Sequence, residues 1–320
     1  MAKYSISKKT GLEKVLVCVL YHNINIDLLN LIKNIGKNKN TSILIIVDGN
    51  LKIKNKNKIL KLNNKIKFKY SLKKKTVSYN RNIAIKFAKN AFDLILYIDS
   101  DVIPEKNILS SHVKNHIKNK HISIIGGPVI PSFFNNSFNF WEMLDGCLSW
   151  FTSTVPSNNK IIQSPYHLPT CNLSIKLNFL FRNKIMFDEK LKTGEDVDLC
   201  NKVRKKNGKI LLIKSGKVFH QDRKDFSSFF YHHANWGRHQ FYTLYKKKFS
   251  NYLGSFLFNL TFFIFYPLLM PILNFLSTLL TIIPWVRFRF IFIFLIIPTY
   301  LVHLIKGGFT YLEFFKNIKS

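Results

Sequence analysis

Three stretches of this chain, KVLVCVL (residues 14–20), SILIIV (42–47) and LILYI (94–98), are runs of apolar residues of strand length rather than helix length. A strand that is apolar on both faces has to be covered on both faces, which is the situation of a parallel sheet more than of a half-exposed antiparallel one. The intervening segments fit that requirement. Residues 26–35 place apolar side chains at Ile26, Leu28, Leu29, Leu31, Ile32 and Ile35, the spacing of a short amphipathic helix, and residues 78–90 do the same with Ile83, Ile85, Phe87 and Ala88. KIKFKY (65–70) alternates basic and apolar residues and reads as a strand nearer the sheet edge. Residues 107–119 read as a helix, ISIIGGPVIP (122–131) as a strand entering a Gly-Gly-Pro turn, and KILLIKSGKVFH (209–220) as one more strand. Residues 133–169 are aromatic-rich and irregular, a binding-loop region. Strands alternating with helices predict an α/β fold with a parallel sheet between helical layers.

Ligands of such sheets bind beyond the carboxyl ends of the strands. Asp48 follows one apolar run and Asp99 another. Acids are scarce here: 17 Asp+Glu stand against 49 Lys+Arg, a formal net charge of +32. Yet Asp99 and Asp101 are separated by a single serine. Mg²⁺ and Mn²⁺ take oxygen ligands, typically one or two carboxylates completed by substrate phosphates; the same tripeptide also serves as an ordinary strand-end turn. A second concentration, FDEKLKTGEDVDL (187–199), holds five acids. Glu195, Asp196 and Asp198 are either charges favoured by a helix N-terminus or the source of a general base facing the open end of the sheet. His220, closing the last strand, is a core or turn histidine or a further metal ligand, since imidazole suits Mn²⁺.

So basic a chain points to nucleic acid, an anionic membrane surface or a phosphorylated substrate. Its lysines are interleaved with Asn and Ile and read mostly as a solvated face; apolar strands ending in acids, with a membrane-length run beyond, weigh against nucleic acid as a partner. Cys18, Cys147, Cys171 and Cys200 form no CxxC pair, so neither disulfides nor a zinc site are expected.

Residues 253–286 carry no charge, enough to span a bilayer with Pro267 and Pro271 as kinks. Beyond Arg287 and Arg289, residues 290–305 form a second charge-free run, short for a span and readable as tilted, re-entrant or interfacial. The N-terminus has no apolar core of a signal peptide. With Lys and Arg on the N-terminal side, these features predict anchoring in the cell membrane with the catalytic domain facing the cytoplasm. The expected divisions are a tail (1–12), an α/β domain (13–228), an amphipathic juxtamembrane segment (229–250), a hydrophobic membrane region (251–306) and a C-terminal tail (307–320).

Taken in order, VDGN (47–50), SYNRNIAI (78–85), LYIDSD (96–101), GGPV (126–129), PTCNLSI (169–175), FDEKLKTGEDVDL (187–199) and VFH (218–220) resemble the family-2 glycosyltransferases over residues 13–240. That resemblance implies the GT-A fold, a Rossmann-like nucleotide-diphospho-sugar transferase domain. It implies that Asp48 contacts the base or ribose, that Arg81 and Asn82 frame the nucleotide pocket, and that Asp99 lies near ribose and metal. It further implies that Asp101 binds Mg²⁺ or Mn²⁺, that His220 completes the metal site, and that Asp196 is the acceptor-activating base. Glu195, Asn172, Trp236 and Arg238 are acceptor-side candidates. Processive members carry Gln-x-x-Arg-Trp; YHHANWGRHQFY (231–242) lacks it and is similar to non-processive, membrane-attached members. The implied reaction is inverting transfer of a hexosyl-type sugar from a nucleotide-sugar, a UDP-sugar being the family's commonest donor. The receiving group is a hydroxyl of a glycan or lipid-linked acceptor, in cell-surface glycan or glycolipid synthesis. Rival readings are a polyprenyl-phosphate sugar synthase, a basic nucleic-acid-binding protein and a non-catalytic membrane scaffold.

Overall fold

In a computed structural model, the described residues are 14–22, 28–35, 40–49, 51–63, 65–72, 75–134, 139–153, 162–163, 165, 167–241 and 252–318. The expected N-terminal tail, the start of the first helix at Ile26, and residues 242–250 of the juxtamembrane segment lie outside them.

The first half alternates as expected: β1 (Val15–Tyr21), α1 (Leu28–Ile35), β2 (Thr41–Val47), α2 (Lys56–Leu62), β3 (Ile66–Tyr70), α3 (Val77–Ala88) and β4 (Leu94–Asp99). Then come β5 (Val102–Pro104), α4 (Ile108–Lys118), β6 (Ile122–Gly126), β7 (Val129–Pro131), α5 (Phe140–Trp150), β8 (Ile162–Gln163), β9 (Asn172–Lys176) and α6 (Leu177–Arg182). The chain continues through α7 (Glu195–Lys205), β10 (Lys209–Leu212), β11 (Val218–His220), α8 (Phe226–Gln240), α9 (Tyr252–Phe288) and α10 (Ile296–Ile318).

The main sheet has the order β3-β2-β1-β4-β9-β6-β10-β8. Its side chains alternate between two cores, as the pleat requires. Leu16, Cys18, Leu44, Ile46, Ile95 and Tyr97 meet α3, α6 and α7 on one face. Val17, Val19, Ile43, Ile45, Leu94 and Leu96 meet α1 and α4 on the other. The sheet is mixed rather than wholly parallel, because β9 runs antiparallel between β4 and β6. A strand buried on both faces is apolar whichever way its neighbours run, so its composition does not encode direction. Residues 209–220 likewise form two strands: β10 joins the main sheet, and β11 crosses to a small sheet of order β5-β11-β7. There His220 stands opposite Val102, next to Asp101.

The aromatic-rich middle contains a helix, α5, capped by Asn139, whose side chain accepts from the amides of Trp141 and Glu142. It lacks a clear polar face because it is sandwiched: Leu144, Cys147 and Leu148 pack against Phe229 of α8, Trp285 of α9 and Val302 of α10. Trp285 Nε1 donates to the Cys147 carbonyl at 3.1 Å. The C-terminal helices are thus docked on the α/β domain. Among the described residues, Phe262–Arg287 and Phe290–Lys316 are long and apolar enough to cross a membrane, and they expose Leu268, Leu280, Phe290, Phe294 and Ile297. The second run is longer than its charge-free stretch suggests. Lys306 does not end the helix, because its side chain is turned inward against α8, and α10 continues to Ile318.

Candidate active site

The carboxyl ends of β1, β2 and β4, the start of α7, β11 and the inner faces of α8 and α10 enclose a cleft of about 520 Å³. Asp48, Arg81, Asp99, Asp101, Glu195, Asp196, His220 and Trp236 all line it.

Arg81 organises one wall. Its side chain is almost wholly buried on α3; Nη2 donates to both oxygens of Asp99, at 3.2 and 3.4 Å, and Nη1 donates to Glu195 Oε1. A guanidinium remains charged in any such setting, and its planar fork suits two carboxylates. Gly194, at φ 72°, supplies the backbone conformation from which α7 begins, and places Glu195 and Asp196 at the cleft. The three acids of this turn then separate by role. Glu195 is bound to Arg81. Asp198 pairs with Lys202 at 2.8 Å. Asp196 is half-buried, and Oδ1 accepts the Val197 amide at 2.7 Å. Burial raises the Asp196 pKa, outweighing the Val197 amide and the Arg81 charge that pull it down.

On the other wall His220 Nε2 lies 3.7 Å from Asp101 Oδ2. His220 Nδ1 is taken by Asp222 Oδ1 at 3.0 Å. Asp222 also accepts from Trp150 Nε1 at 2.8 Å and from the Ser132 amide at 2.8 Å. Burial opposes charge on His220, but Asp101 and Asp222 overcome it and lift the pKa to about 8. A carboxylate fixing the rear nitrogen of an imidazole is the usual support of a metal-binding histidine. Asp101 Oδ1 is buried without a hydrogen-bond partner among the described residues, an acceptor suited to a cation. Among those residues no three His, Cys, Asp or Glu side chains gather into a metal-holding cluster. The donors that fit Mg²⁺ or Mn²⁺ are therefore Asp101 and His220, with Asp99 engaged by Arg81; substrate oxygens and water ordinarily supply the rest.

Asp48 accepts from Ser71 Oγ at 3.3 Å. Three of the sequence candidates do not line the cleft. Asn82 clamps α3 to the loop before α7, donating to the Phe187 carbonyl at 3.0 Å and to Glu189 Oε1 at 2.9 Å while accepting the Phe187 amide at 2.9 Å. Asn172 is fully buried beneath the Gly-Gly-Pro turn, donating to Pro128 and Gly216 carbonyls at 3.0 and 2.9 Å. Arg238 lies over the Phe309 ring, 4.7 Å from its centroid. Conversely, Arg223, His232 and Lys306 line the cleft without having been singled out in the sequence. Arg223 donates to Asp145 Oδ2 at 3.0 Å, and His233 Nε2 donates to Asp145 Oδ1 at 2.9 Å. Burial works against the Asp145 charge, yet His233 and Arg223 overcome it and hold the carboxyl well below the usual range.

Residues 17–179 match the sequence profile of glycosyl transferase family 2. The minor teichoic acid biosynthesis protein GgaB of Bacillus subtilis (strain 168) is 29% identical over 164 residues, covering 48% of this chain and 16% of that protein. The chain therefore matches only a small part of that relative's length. Among solved structures, GalNAc-T7 with UDP, GalNAc and Mn²⁺ superposes with a TM-score of 0.51 at 16% identity, over 67% of this chain and 45% of that one. S. aureus TarS gives 0.46 at 17% identity, over 74% and 45%. The fold is that of the GT-A glycosyltransferases.

Proposed function

Because the chain belongs to glycosyl transferase family 2, we propose that it transfers a hexosyl-type sugar, with inversion, from a UDP-sugar to a hydroxyl of a glycan or lipid-linked acceptor. The observation that carries this reading is the division of one cleft into two walls. Asp101 and His220 stand on one; Arg81 on the other engages Asp99 and Glu195 and leaves Asp196 facing the cavity. The UDP and Mn²⁺ named with GalNAc-T7 support the choice of nucleotide and a divalent ion, and teichoic acid synthesis in the name of GgaB supports a cell-surface glycan as product. The two apolar C-terminal helices support membrane attachment, and the three lysines at 246–248, just ahead of the first apolar run, support a cytoplasmic orientation.

In this reading Asp101 and His220 would hold Mg²⁺ or Mn²⁺, which would supply positive charge for the departing diphosphate. Asp48 receives hydrogen bonds from the base or ribose, and Asp99, fixed by Arg81, borders the ribose. Asp196 accepts the acceptor's hydroxyl proton while that oxygen attacks the anomeric carbon from the side opposite the diphosphate, so the configuration inverts. Its raised pKa brings the carboxylate nearer the working pH, where a general base is most effective.

The test is a donor screen: full-length protein in detergent with Mn²⁺ or Mg²⁺, offered UDP-, GDP- and dTDP-sugars, with released nucleoside diphosphate as readout. UDP release from one sugar is expected. A folded protein that releases nucleotide from none would be the non-catalytic scaffold.

A further inference from the structure

Resting on the glycosyltransferase reading, we infer that Lys306, with His232 and Trp236, forms a second anion subsite that holds the phosphate of a lipid-borne acceptor. Lys306 lies on α10, the more buried of the two apolar C-terminal helices, yet its side chain lines the catalytic cleft and is only 8% exposed. Its ammonium sits over the Trp236 ring, 4.8 Å from the centroid. No carboxylate among the described residues lies within 4.0 Å of it, although Asp145 is on a helix that α10 packs against: both Asp145 oxygens are occupied, by Arg223 and His233. A buried ammonium without a counter-ion is costly unless an anion completes it, and a lysine serves phosphate as a compact point charge.

The placement is built into the main chain. A Cβ on Gly237 of α8 would come 2.4 Å from the Lys306 carbonyl oxygen and 2.8 Å from its Cα. Thr310 Oγ1 donates to the Gly237 carbonyl at 2.7 Å. The crossing of α8 and α10 is thus fitted around Lys306. His232 packs on the same Trp236 ring at 4.5 Å. This set is distinct from Asp101 and His220, the pair suited to the donor's metal-bound diphosphate, so it offers a second place for a phosphate. Lys306 also belongs to the helix that exposes Ile297 at 71% and Leu301 at 52%. A headgroup attached to a membrane-embedded chain reaches the cleft along that helix.

The experiment titrates full-length protein in dodecyl maltoside with dodecyl phosphate, glycerol 3-phosphate and inorganic phosphate, reading tryptophan fluorescence. The affinity for UDP with Mn²⁺ is measured in parallel. Lys306→Gln is expected to weaken dodecyl phosphate binding about tenfold or more, the scale of one charge-assisted contact, with UDP affinity within about twofold of the parent. Lys306→Arg should retain most of the binding. Gly237→Ala, which moves the lysine without removing it, should weaken dodecyl phosphate and spare UDP. Unchanged dodecyl phosphate binding in Lys306→Gln overturns the subsite, and a matching loss of UDP affinity reassigns Lys306 to the donor. Glycerol 3-phosphate binding as tightly as dodecyl phosphate overturns the lipid source in favour of a soluble ester. A donor screen that fails while Lys306-dependent phosphate binding persists would sink the transfer reading alone.

Discussion

At the scale of single residues, the cleft distinguishes three neighbouring acids that look equivalent in the sequence. Glu195 is held by Arg81 and Asp198 by Lys202, so of the two that line the cleft, Glu195 and Asp196, the latter is the one in no ion pair among the described residues. Replacing it with Asn should lower kcat by about 10²–10⁴-fold, the usual worth of a general base, with UDP affinity nearly unchanged. A variant that keeps near-normal transfer to a hydroxyl acceptor would remove Asp196 from the chemistry and leave Glu195 or Asp198 as the base. Asp101→Ala should be as damaging as chelation; full turnover in excess EDTA would exclude the metal assignment. The motif order identified most of the cleft's acids from sequence alone. It also named Asn82 and Asn172, which do not line the cleft, because an amide that frames a site and one that clamps its supporting loops have the same letter. It passed over Asp222 and Lys306, since neither a carboxylate behind a histidine nor a lysine inside an apolar helix announces which way it points.

At the scale of elements, apolar runs identified the central strands because both sheet faces are covered. The helical character of α5, which is packed on several sides and presents little polar contrast, stayed hidden, as did β9, whose Asn172, Ser174 and Lys176 break up the apolar run that marks the central strands. The seam between α4 and β9 carries a pH consequence. His112 is buried, hydrogen-bonded to Ser174 Oγ at 2.8 Å and Asn172 Oδ1 at 2.9 Å. Burial lowers its pKa to about 4, from 6.5. Since the unfolded imidazole takes a proton that the folded one refuses, its contribution is complete above about pH 6.5 and fades as pH falls toward 4. The slope approaches about 1.4 kcal/mol per pH unit inside that window. Thermal melts from pH 7 to 5 should show the loss, and His112→Gln should flatten it relative to its own pH 7 stability. An equal slope in the variant would move the effect to other groups.

At the scale of the whole molecule, two apolar helices and an α/β domain share a core through α5, Trp285 and Val302. The protein should therefore stay in the membrane pellet through alkaline carbonate, and release by carbonate or high salt alone would disprove the anchor. Docking of α10 on α8 has a further outcome. In the proposed membrane-attached enzyme one helix both faces the apolar phase and forms a wall of the cleft, which would set the chemistry at a fixed height above the bilayer, as if on a gauge block. An enzyme so mounted samples its acceptor in two dimensions. At constant total acceptor, diluting the mixed micelles with inert detergent should slow turnover in proportion to the acceptor's surface fraction, while diluting the whole mixture with buffer should leave the rate per enzyme nearly unchanged.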